Sequence, residues 1–62
     1  MDKERIIGRK VRWAVFGWLG LETVLGKVID ATDKEGFYRV EGYTLFGVRH
    51  QDIKSISELE FE

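Results

Sequence analysis

The chain reads as an all-β domain of five short strands curled into a small barrel, and three observations predict it. Aromatic and β-branched residues crowd Gly36 to Val48, where Phe37, Tyr38, Val40, Tyr43, Leu45, Phe46 and Val48 lie among glycines. Such side chains fit a pleated, half-buried surface. Apolar and polar residues alternate over Arg9 to Phe16, the period of a strand with one buried face. Glycines and polar clusters then punctuate the chain at short intervals, at Gly8, Gly17–Gly20 and Asp33–Gly36. A single sheet this short cannot cover its own apolar face. It must bend until it closes or nearly closes.

Each element follows in order. Met1 to Ile7 is expected as a loose end that becomes a short segment covering one mouth of the core, with Gly8 as a turn. Arg9–Phe16 is the first strand, with Val11, Trp13 and Val15 inward and Lys10, Arg12 and Phe16 outward. A helix competes here, because Ile7, Val11, Ala14, Val15 and Trp18 also share a helical face. Flanking glycines and the lack of a capping residue decide for the strand. Gly17–Glu22 is expected as a loop with unusually large apolar side chains, either a lid or a surface presenting Trp18 and Leu19. Thr23–Thr32 is the second strand, with Gly26 marking a bulge or bend. Val24 and Val28 share one face; Leu25 and Ile29 share the other. Asp33–Gly36 is a polar hairpin turn.

The third and fourth strands divide Gly36–Val48, with a bend or bulge near Glu41-Gly42. Arg49–Asp52 interrupts the pattern. Ile53 and Ile56, three apart, fit one helical turn. Ser57, Leu59 and Phe61 alternate with glutamates as a last strand or an amphipathic tail.

Sixty-two residues make one domain, residues 1–62, with a core over roughly 6–58. A domain of this size buries only about 60% of its unfolded surface. There is no cysteine, hence no disulfide and no thiolate metal site. Stability must come from a dense aromatic core or from self-association. At least half of the eight aromatics are therefore expected inside, with Trp13, Tyr38 and Phe37 or Phe46 as core and Phe16 and Trp18 exposed. No apolar run approaches the ~20 residues of a membrane span. No secretory leader pattern follows the charged N-terminus. Cytoplasmic residence without membrane contact is the expectation.

The net charge of −1 conceals a polarity. Residues 1–12 carry five cations against Asp2 and Glu4, whereas residues 52–62 carry four carboxylates against Lys54. Either the two ends pair as neighbouring strands, or the basic end binds phosphates.

The layout resembles the SH3-like small barrels, the broad group that includes KOW, Tudor and Sm-like modules. The resemblance is carried by Ile7-Gly8-Arg9-Lys10-Val11, Gly26-Lys27-Val28, Tyr38-Arg39-Val40 and Val48–Ile53. It implies five strands with a one-turn helix before the last. It names a superfold, and no functional residue follows from it.

Chemistry is sparsely represented. The single histidine, His50, has Asp52 two residues on and Ser55 and Ser57 beyond, but no serine sits on a glycine elbow. One histidine with scattered carboxylates is a poor zinc set. Gly17-Trp18-Leu19-Gly20 lacks the lysine of a phosphate loop. Glu58, Glu60 and Glu62 read as a solvated face. No catalytic residue, metal or cofactor is expected. The expected function is a non-enzymatic interaction module, binding a protein or itself through the apolar loop and a strand face. The alternative is single-stranded nucleic acid bound by stacking beside basic residues. The candidate binding residues are Lys10, Arg12, Phe16, Trp18, Leu19, Tyr43, Phe46, Arg49 and His50. An oligomeric enzyme is the third reading.

Overall fold

The structure, a computed structural model, describes residues 5–62. The expectation for the first four residues lies outside them. The order is β1 (Lys10–Gly17), β2 (Gly20–Ala31), β3 (Phe37–Tyr43), β4 (Arg49–Ser55), a 3-10 turn (Ile56–Glu58) and β5 (Glu60–Phe61). All pairings are antiparallel, in the order β4-β3-β2-β1-β5. The hydrogen-bond ladder stays open, with β4 and β5 as its edges.

The sheet is nonetheless strongly curled. A flat sheet would hold β1 and β4, three spacings apart, about 14 Å from each other. Yet Trp13 Nε1–H on β1 donates to Asp52 Oδ2 on β4 at 3.0 Å. The 3-10 turn bridges the two sheet edges. The Ile56 N–H donates to the Gly36 carbonyl, and the Ser55 N–H donates to the Glu58 carboxylate three residues on.

Alternation puts Val11 and Trp13 on the concave side of β1, Val24 and Val28 on β2, and Tyr38 and Val40 on β3. Ile6 and Leu59 complete this core, with Val15, Ala31, Ile56 and Phe61 packed around it. Ile6 is held in place by the turn at Gly8 (φ 91°), whose N–H donates to the Val28 carbonyl at 2.7 Å. The two chain ends pair as neighbours: β5 lies on β1, and Arg12 meets Glu60 at 2.9 Å.

Several expectations are corrected. Gly17–Glu22 is not an open loop. β1 and β2 run into a two-residue turn at Trp18-Leu19, with Gly17 paired to Gly20. Gly20 takes the positive φ (110°) that the turn requires, so the tryptophan need not. Gly26 and Gly42 are not bulges. They pair with each other, and a Cβ on Gly26 would stand 1.9 Å from the Glu41 carbonyl oxygen. The bulge falls between Val28 and Asp30. β3 therefore runs unbroken to Tyr43, and the fourth strand is Arg49–Ser55 rather than the second half of Gly36–Val48. Thr44–Val48 turns because its backbone is satisfied locally. The Thr44 N–H donates to the Val48 carbonyl, the Thr44 hydroxyl accepts from the Phe46 and Val48 N–H groups, and Gly47 takes φ 82°. Ile53 belongs to β4, outside the 3-10 turn.

The core holds fewer aromatics than expected. Trp13 and Tyr38 are buried, Phe37 and Phe61 half-buried, and Phe16, Trp18, Tyr43 and Phe46 exposed. Phe46 is 73% exposed and is no core residue. Four valines and Leu59 fill the core beside Trp13 and Tyr38.

Candidate interaction surface

The β1–β2 hairpin outruns the rest of the sheet. Pairing of β2 to β3 begins at Leu25↔Tyr43, so the four pairs from Ala14↔Thr23 to Gly17↔Gly20 form a two-stranded arm. The molecule is accordingly elongated, 36 Å by 18 Å by 16 Å. The arm carries large apolar groups in water. Phe16 is 87% exposed, Trp18 fully exposed, and Leu19 and Leu21 largely so. The β3–β4 turn comes to meet it. Leu45 and Phe46 line a groove of about 270 Å³ together with Leu19, Leu21 and Thr23. The sequence points to Leu21 as an anchor beside Trp18 and Leu19, whereas it does not single out Leu45. Leu21 pairs with Phe16 across the strands, a partnership that only the hairpin register reveals.

The outer face of the sheet arranges the other candidates. Register aligns Arg12, Leu25, Tyr43 and Arg49 in one row, and Lys10, Lys27, Glu41 and Gln51 in the next. Phe16 lies on the same outward face of β1 as Lys10 and Arg12. Two of the cations are already partnered. Arg12 meets Glu60, and Arg49 meets Glu41 at 3.0 Å. The hydrogen bond to Glu60, then its charge, raises Arg12 above the ordinary guanidinium value. Arg12 in return lowers the Glu60 carboxyl. Glu41 raises Arg49 in the same way. Trp18 is not brought to these cations. Six residues along a strand put it about 20 Å from Arg12.

His50 is half-buried on the opposite, concave face beside Asp52 and Lys54, as the pairing with Gly42 dictates. It therefore stands apart from Arg49 and Tyr43. Asp52 is taken up by the Trp13 indole, a role the sequence does not signal because the two are 39 residues apart. Arg9 lies over the Phe61 ring at 5.0 Å and Lys34 over Phe37 at 4.4 Å.

A second hollow, of about 610 Å³, lies beside the β1 edge where β5 ends. Ala14 and Thr23 line it with Leu59 and the Ser57-Glu58 end of the 3-10 turn. Among the described residues no three His, Asp or Glu side chains gather as a metal site, and no helix is long and apolar enough to cross a membrane. The chain matches no protein-family model, no curated protein and no solved structure.

Proposed function

We propose that this chain is a non-enzymatic interaction module of the SH3-like small-barrel type, acting in the cytoplasm by apolar association with a protein partner or with itself. One observation carries the reading: Phe16, Trp18, Leu19 and Leu21 on the arm and Leu45 and Phe46 on the neighbouring turn make a contiguous exposed apolar end. Exposed apolar surface beyond a few hundred Å² marks binding sites. The barrel type is supported by the antiparallel order of four strands, the 3-10 turn after the fourth, and the return of β5 onto β1. The apolar end supplies large aromatic anchors, Trp18 at its tip and Phe16 and Phe46 behind it.

A second reading, single-stranded nucleic acid, is favoured by the outer row in which exposed Tyr43 stands between Leu25 and Arg49, with Lys10 and Lys27 beside it. It competes poorly, because Arg12 and Arg49 are already paired to carboxylates and the net charge is −1. Light scattering during chromatography, at low and high salt and with mixed-sequence oligonucleotide, separates the two. Apolar association persists in salt and ignores the oligonucleotide. A complex with oligonucleotide that dissolves as salt rises overturns it, because phosphate contacts release counterions.

A further inference from the structure

We propose that the partner at the apolar end is a second copy of this chain, and that two arms join through the bare outer edge of β1 into one continuous sheet. This inference rests on the apolar-association reading and makes it specific.

The edges of the sheet are not alike. An unpaired strand edge invites pairing with another chain unless charges, short length or cover prevent it. β4 is guarded by Arg49 and Lys54 and by the inward Asp52. β5 is two residues long and flanked by carboxylates. On β2 the arm's free edge faces the groove with Leu45 and Phe46. The β1 edge from Ala14 to Gly17 has none of these devices. β5 pairs only Val11 and Arg12, and no described residue pairs beyond them. No charged residue occurs from Trp13 to Leu21. Two identical copies therefore meet there with no like charges on β1 itself, the nearest carboxylates being Glu22 against Gly17 and Glu58 and Glu60 by the hollow. A projecting two-stranded ribbon is itself marginal in water, and a neighbouring strand stabilises it.

The register follows from hydrogen-bond alternation. The Lys10 carbonyl accepts from the Glu62 N–H, so the even residues of β1 aim their backbone groups at this edge. Beyond β5 these are Ala14 and Phe16. A two-fold axis at Val15 sets Ala14 of each copy against Phe16 of the other and pairs all four groups on each strand. An axis at Ala14 would displace β5 from Arg12. An axis at Phe16 would leave Ala14 facing Trp18, beyond the strand. With the axis at Val15, each Phe16 also falls on the outer face over Ala14 and Thr23 of its partner. Beside it lies the hollow of about 610 Å³, which Leu59, Trp13 and the 3-10 turn line together with Arg12, Glu58 and Glu60. A large side chain thus meets a small one. Phe16 and Trp18, at this end of β1, alone expose roughly 400 Å², about half of the ~800 Å² per partner of a standard interface; strand pairing along the edge adds to it.

The test uses the full chain, in which any cysteine introduced is the only one. Across the axis the Val15 Cα atoms lie about 4.5 Å apart, within disulfide range. With oxidised glutathione, Val15→Cys is expected to become mainly a linked dimer, and Leu25→Cys to stay unlinked. Amide exchange at Ala14 and Phe16 in the unmodified chain is expected to slow at least tenfold between dilute and concentrated protein. Phe16→Lys, a charge on the edge, is expected to keep the circular dichroism of the fold and weaken the dimer at least tenfold. A dimer that links through Leu25→Cys and not Val15→Cys overturns the edge pairing while leaving apolar self-association standing. A monomer at every concentration overturns the second copy as occupant and leaves a different protein as the partner. A complex formed only with oligonucleotide overturns both.

Discussion

Trp13 and Asp52 show how one hydrogen bond couples distant parts of this chain. The indole is 4% exposed, and its N–H has the Asp52 carboxylate as its acceptor across the concave face. Removing the acceptor leaves a nearly buried donor unmatched, which costs about 1–3 kcal/mol. Asp52→Ala is therefore expected to lower stability by about that amount in urea titration, and Asp52→Asn, which keeps an oxygen at the site, by less. Gly26 and Gly42 make the second residue-scale constraint. Each faces the other's strand so closely that a Cβ on Gly42 would stand 2.2 Å from the Leu25 carbonyl oxygen. Backbone cannot yield as a flexible side chain can. Gly42→Ala is expected to cost at least the 1–3 kcal/mol of ordinary overpacking, visible as a lower urea midpoint or loss of the folded circular dichroism. These glycines stand out in the sequence, yet composition alone does not separate a bulge from a close pair. That distinction depends on which strand lies opposite.

At the scale of elements, turns decided what alternation could not. The first strand was legible because Val11, Trp13 and Val15 alternate with polar residues and no local bond competes. The fourth was misplaced because Tyr43, Leu45 and Phe46 have strand-like side chains, while the backbone of Thr44–Val48 satisfies itself in a turn. Thr44→Val removes the hydroxyl that accepts from two N–H groups in a nearly buried position. It is expected to cost about 1–2 kcal/mol in thermal or urea unfolding. The seam between β1 and β5 makes a pH prediction. Glu60 is lowered chiefly by the hydrogen bond from Arg12 and then by its charge. A carboxyl lowered on folding stabilises the fold above its unfolded pKa, and that contribution is lost as pH falls through the folded value. Urea midpoints of the parent chain are therefore expected to fall more on acidification below the ordinary carboxylate range than those of Glu60→Gln. The difference is expected to shrink in high salt, since both partners are exposed.

For the whole molecule, the balance between core and surface points outward. Among the described residues the core holds eight buried apolar side chains, while Phe16, Trp18, Tyr43 and Phe46 remain in water. Folding linked to association makes stability depend on protein concentration. A tenfold rise in concentration is expected to raise the urea midpoint of the parent chain measurably, and to leave that of Phe16→Lys unchanged.

The strand-rich class, the inward face of β1, the exposure of Phe16 and Trp18, and the opposite charges of the two ends are legible in the sequence. These depend on alternation, turn-forming glycines and composition, which are local. That Gly26 meets Gly42, that Asp52 serves Trp13, and that Leu21, Leu45 and Phe46 join one apolar end follows from the fold. Those depend on register and curl, which bring together residues that no local pattern connects.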